Sequence, residues 1–180
     1  MDFARKACRQ MKRLVADTGP LLHLHEAGAL HLLPLIGTVS VPPLVLTEVR
    51  FHAPTLWPGV VPGWVKTETL AAPAQQRSSA WRQAGLLDGG EAEAVALAVE
   101  LKPDWLLTDD AAARLMAEAL GIEAHGSLGI VLWAAARRLV GQADAEALLA
   151  GLEKSSLWMS PRVRAAARSA LAQVFPPHGP

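Results

Sequence analysis

Four short apolar runs, each followed by a stretch of helical periodicity, constrain this chain more than any other feature. LVAD (14–17), TVSV (38–41), WLLT (105–108) and IEAHG (122–126) read as strands. After the first comes GPLLHLHEAGALHLL, with leucines at helical spacing and a break near Gly28. After the second, Pro42 and Pro43 open a helix running through Glu48; proline suits a first helical turn because the amide it lacks has no partner there. The third run leads into a helix from about Asp110 to Leu120, and the fourth into one from Ser127 to Leu139. Strand, helix, strand, helix is the order of an α/β protein whose parallel sheet carries helices on both faces. With 180 residues, 51% of them hydrophobic, the chain can bury one full core, and a single domain is expected.

The expected domain spans 13–174, behind an N-terminal extension at 1–12 and ahead of a loose tail at 175–180. Residues 52–80 concentrate Pro, Gly and Ser and read as a long loop insertion, with GWVKTETL as a short β-like piece inside it. The segment 143–174 fits two helices broken around SSLWMSP, with Ser160 as cap and Pro161 in the first turn. The most apolar span, Ala29 to Leu46, contains His31, Thr38, Ser40 and prolines 34, 42 and 43, which argues against a membrane segment. The start, MDFARKACRQMKRL, lacks a continuous apolar run, so the expectation is a cytoplasmic protein without a secretion signal.

Seventeen Lys plus Arg balance seventeen Asp plus Glu, so no overall basic field draws in nucleic acid and any polyanion site must be local. The single cysteine, Cys8, excludes an intrachain disulfide and a cysteine-based zinc site.

The acids fall at informative places. Asp17 ends the first predicted strand, and Asp109 and Asp110 end the third. The carboxyl ends of strands form the ligand crevice of an open parallel sheet. Glu48 lies early in the helix after the second strand, and Glu91 follows Gly89 and Gly90 at the start of the helix that leads to the third. Gathering such charges raises their pKa values and opposes folding unless a cation joins them. An all-oxygen donor set suits Mg²⁺ or Mn²⁺, and the matching chemistry is attack of metal-activated water on a phosphodiester.

VADTGPLLHL, PPLVLTEV, LDGGEAEAVALA and LLTDDAAARLMAEALGI, in this order and with these separations, resemble the PIN-domain family of metal-dependent ribonucleases, and within it the branch with a Gly-Glu-Ala-Glu-Ala signature. The resemblance implies a Rossmann-like three-layer sandwich around a central parallel sheet. It implies one or two Mg²⁺ or Mn²⁺ ions and endoribonuclease activity on RNA, commonly as the toxin of a toxin–antitoxin pair, with homodimers and an antitoxin protein as partners. By position, Asp17, Glu48, Glu91 and Asp110 match the family's four acids, with Asp109 as a neighbouring ligand candidate and Thr18 as the hydroxyl beside the first. Glutamate at 91 stands where many members have aspartate, and the loop at 52–80 is longer than in compact toxins.

Each residue also has a plainer role. Asp17 suits a helix cap, and Glu91 suits a first-turn acid with Asp88 as the cap. Glu93 lies about 200° around the helix from Glu91, so the two cannot face one site. Asp109 and Asp110 divide between ligand and cap in either order. Arg114, one turn into the following helix, fits a phosphate contact or an ordinary salt bridge. Histidines 23, 25 and 31 lack a partner spaced for zinc and read as packing or surface groups. Trp57, Trp64 and Trp81 flank the long loop, as base-stacking groups or as its anchors. The arginines in RRL (137–139) and RVRAAAR (162–168) are as compatible with a solvated helix face as with RNA.

Overall fold

The computed structural model describes residues 11–176. Its five strands, β1 (Lys12–Ala16), β2 (Gly37–Val41), β3 (Val65–Thr67), β4 (Trp105–Leu107) and β5 (Ala124–His125), form one parallel sheet in the order β3-β2-β1-β4-β5. The helices are α1 (Thr18–Glu26), α2 (Leu33–Ile36), α3 (Pro43–His52), α4 (Ala72–Gln83), α5 (Gly89–Leu101), α6 (Ala111–Ala119), α7 (Ser127–Ala136), α8 (Gln142–Lys154) and α9 (Pro161–Val174), with a 3₁₀ turn at Leu30–Leu32. The expected α/β sandwich is the observed architecture.

Strand β1 is central because it can be. Leu14, Val15 and Ala16 are all buried, the continuous apolar run of a strand covered on both faces. Leu14 pairs with Val39 on one side and with Trp105 on the other. The chain leaves β1 toward β2 and β3, then crosses back through α4 and α5 to β4 on the opposite flank. The order therefore reverses between β1 and β4, and a crevice opens at their carboxyl ends. The Asp17 amide donates to the Leu107 carbonyl at 2.9 Å, which levels those two strand ends and brings the residues just beyond each of them together.

Several boundaries differ from expectation. The loop assigned to 52–80 ends earlier, because α4 begins at Ala72. Pro73 sits in its first turn, where proline is tolerated, and Ala74 and Ser78 are buried. The β-like piece in the loop is β3. Helix α7 stops at Ala136 rather than 139, since Arg138 takes a left-handed conformation (φ 55°) and turns the chain. Lys12 belongs to β1 rather than to an extension; residues 1–10 of that expected extension lie outside the described residues. The tail is held at its start: Phe175 packs under the Arg138 guanidinium, 4.4 Å from the ring centroid, while Arg138 donates to the Val174 carbonyl at 2.7 Å. Residues 177–180 lie outside the described residues.

The C-terminal helices form a second small core with α7, from Ala135, Ala145, Leu149, Ala167 and Leu171. Ser160 caps α9, its hydroxyl accepting the Val163 amide at 3.2 Å. These helices thus bury apolar side chains within the chain. Among the described residues no helix is long and apolar enough to cross a membrane.

Candidate active site

Each acid reaches the crevice by a different local device. Asp17 follows β1 directly and is the N-cap of α1; one carboxylate oxygen accepts the Thr18 amide and the other the Thr108 hydroxyl at 3.1 Å. Glu48 comes from the second turn of α3. Its Oε2 accepts the Thr18 hydroxyl and its Oε1 the Gly90 amide at 3.1 Å. A Cβ at 90 would lie 2.2 Å from Glu48 Oε2, so glycine there leaves room for the Glu48 carboxylate in this position. The Gly-Gly pair ahead of Glu91 thus lets α5 start against a carboxylate.

Glu91 turns back to accept the Asp88 amide at 3.0 Å, so its helix-capping role is real. Asp110 is the N-cap of α6, accepting the Ala113 amide at 2.7 Å through Oδ1. Of the adjacent pair, Asp110 is therefore the cap. Asp109 takes three donors: the Ser127 amide (2.8 Å), the Ser127 hydroxyl and His23 Nδ1 (2.7 Å). It ties α1 and α7 to the end of β4, and Gly126 makes room for it, because a Cβ at 126 would lie 2.5 Å from Asp109 Oδ1.

Asp17, Thr18, Glu48, Glu91, Asp109 and Asp110 all line one cavity of about 520 Å³. Asp88, His23, His52, Leu157 and Trp158 line it too, but among the described residues neither Glu93 nor any Lys or Arg does. Arg114 stands elsewhere. Its guanidinium donates to the Thr108 carbonyl at 3.1 Å, and it faces a separate groove beside Glu118 and Glu123.

The electrostatics are those of uncompensated like charge. Burial pushes Asp17 up to about 7, against the pull of the Thr18 amide and the Thr108 hydroxyl and with a further push from Glu91 and Glu48. Glu91 is also raised, by burial first; the Asp88 amide opposes this, and the charges of Asp110, Asp88 and Glu48 add to it. A family model described as a PIN domain matches residues 13–173.

The chain belongs to the PIN-domain family. A nuclease-type fold comes with that membership, in a family whose members generally use divalent metal ions. No curated protein matches the chain.

Three contributors to this PIN domain's crevice escape a reading of the sequence. Thr108 is fully buried, donates to Asp17 and accepts the Asp110 amide at 3.2 Å, so one hydroxyl couples two acids. Nothing distinguishes it in LLTDD except its place at a strand end. His23 is held by Asp109 on the cavity wall, whereas His31 bonds the Gly28 carbonyl away from it. Trp158 lies on the rim, while Trp57 and Trp64 pack edge to face at 6.1 Å and, with Trp81, lie against the core.

Proposed function

We propose that this PIN domain is a Mg²⁺- or Mn²⁺-dependent endoribonuclease, with Asp17, Glu48, Glu91 and Asp110 as the metal-holding set. One observation carries the reading: Asp17 is buried among other carboxylates, with its carboxyl lifted to about 7, and among the described residues no Lys or Arg side chain lines the cavity to balance it. The donors fit a hard cation in kind, being carboxylate oxygens. Among the described residues no three His, Cys, Asp or Glu side chains stand within reach of one ion. An ion held there would therefore have to keep several waters, as Mg²⁺ commonly does.

A divalent ion bound there would neutralise the charge on the phosphodiester and acidify water. The chain's own residues hold the acids in place. Thr108 orients Asp17 and the start of α6, and Thr18 with the Gly90 amide orients both oxygens of Glu48. Asp109, saturated by His23 and Ser127, serves as an anchor rather than a ligand in this scheme. Arg114 braces the Thr108 carbonyl instead of meeting substrate. Attack of water at phosphorus with departure of the 3′ oxygen leaves 5′-phosphate and 3′-hydroxyl ends.

The test is incubation of pure protein with mixed RNAs, with and without Mn²⁺, beside Asp17→Asn prepared identically. Metal-dependent cleavage by the wild type alone supports the proposal; equal cleavage by both assigns it to a contaminant. A second reading, a binding module without cleavage, draws on the capping bonds of Glu91 and Asp110. It predicts RNA or protein binding with no cleavage at any metal concentration. Toxin status would show as growth arrest on expression, relieved by a small cognate antitoxin. A cytoplasmic homodimer completes the proposal, and light scattering at micromolar concentration checks the dimer.

A further inference from the structure

Between α8 and α9 the chain passes the crevice as SSLWMS (155–160), and almost every residue of that segment is tied down. The Ser155 hydroxyl donates to the Leu152 carbonyl at 2.8 Å and accepts the Leu157 amide at 3.2 Å. Ser156 donates its amide (2.6 Å) and its hydroxyl to the Glu26 carboxylate at the end of α1. Leu157 packs against the main core, Met159 is buried, and Ser160 caps α9. Between these anchors Trp158 is left 81% exposed.

Exposure alone carries nothing, since Phe51 is as exposed and Val60 more so. Position carries the inference. Of the large apolar side chains exposed among the described residues, Trp158 is the one that lines the acid cavity. Among the described residues no Lys or Arg lines that wall, so none of them supplies a phosphate contact inside the cavity. Aromatic stacking is the sequence-tolerant source of affinity that does not need them.

We infer that Trp158 is a stacking platform for an unpaired base next to the scissile phosphate. The inference rests on the nuclease reading of the same cavity. A tryptophan face needs an open base face, and pairing within a helix leaves each base stacked between its neighbours. The indole is rigid and its flanking residues are already ordered, so little conformational entropy is lost when a base settles on it.

The test compares wild type, Trp158→Ala and Trp158→Phe on an unstructured oligoribonucleotide and on its duplex with the complementary strand. KM and kcat are read in Mn²⁺, and Kd is read in the Asp17→Asn background. Trp158→Ala should raise KM and Kd for the single strand by roughly 5- to 150-fold, the range that loss of one base stack gives, with kcat nearly unchanged. Trp158→Phe should restore most of the loss, and duplex binding should respond to neither variant. Unchanged KM and Kd in Trp158→Ala would overturn the inference, as would an equal loss on duplex. So would a change confined to the particle mass in light scattering, which would assign Trp158 to a protein contact. Absence of cleavage by the wild type would sink the nuclease reading separately, and the Kd comparison would still decide the role of Trp158.

Discussion

Carboxylates on two sides of this molecule meet opposite treatment. On the C-terminal helices, Glu153 accepts a bidentate pair from Arg168, at 2.9 Å from Nε and 2.5 Å from Nη2, and Arg168 holds its carboxyl below the usual range. In the crevice, Asp17 and Glu91 are pushed up, by burial and by neighbouring carboxylate charge. Where the fold has only to stay folded, it gives an acid a cation of its own. Asp17, Glu48 and Glu91 have no such partner among the described residues, and backbone amides and hydroxyls keep them oriented without cancelling their charge. A site that keeps unbalanced charge at a cost in stability is expected where function needs it.

The largest effects should come from removing that charge. Asp17→Asn, Glu48→Gln, Glu91→Gln and Asp110→Asn should each lower metal-dependent cleavage by more than the roughly 10- to 100-fold that loss of an outer hydrogen-bond partner costs. Glu93→Gln, absent from the cavity wall, should cleave like wild type. A live Glu91→Gln with a dead Glu93→Gln would reverse the assignment of the third acid.

The supporting hydroxyl and anchor come next. Thr108→Val and Asp109→Asn should fall within that roughly 10- to 100-fold range in activity, since each orients acids without holding the ion in the proposed scheme. An Asp109→Asn protein as inactive as Asp17→Asn would make Asp109 a ligand.

The pH dependence of stability should then separate the two regions with the smallest signals. In chelator, folded Asp17 keeps a proton that the unfolded chain releases near 3.8, so wild-type stability should fall as pH rises from about 4 to about 7 and level off above. Asp17→Asn should flatten most of that slope. Glu153 works in the other sense: its lowered pKa supports folding above the normal range of a glutamate, and the support is lost as pH falls. Because the Arg168 side of that pair is exposed to solvent, Glu153→Gln should change the melting temperature little, and less still in high salt. Chemical denaturation across the pH range measures both.

Much of the crevice can be read from the chain because short-range signals place it. An acid directly behind a buried strand lands at the sheet's edge whatever the rest does, and Asp17 and Asp110 are there for that reason. Glu91 is readable through the two glycines before it, and the Glu48 carboxylate against Gly90 explains the second of them. The rest depends on long-range partners. Thr108 matters only because Asp17, 91 residues away, comes within reach of its hydroxyl. Trp158 reaches the rim because Ser156 finds Glu26, 130 residues earlier. Helix α4 is obscured by its own composition, since Pro73, Ser78 and Ser79 suggest a loop until α5 is there to cover Ala74 and Ser78.

The proposed purpose of these buried, like-charged carboxylates is to hold a cation, and paired melting curves of wild type and Asp17→Asn test that claim without any knowledge of substrate. Above pH 7, where folded Asp17 carries its charge, burial first and the charges of Glu91 and Glu48 next oppose folding, so neutralising Asp17 should stabilise the metal-free fold by about 1 kcal/mol. A cation that binds only the folded state should raise the wild type in millimolar Mn²⁺, and Asp17→Asn should lose most of that gain. The predicted result is a crossing, with the variant melting higher in chelator and the wild type gaining more from metal. An Asp17→Asn protein that melts lower in chelator and responds to Mn²⁺ like wild type would contradict the claim and leave Asp17 a helix cap.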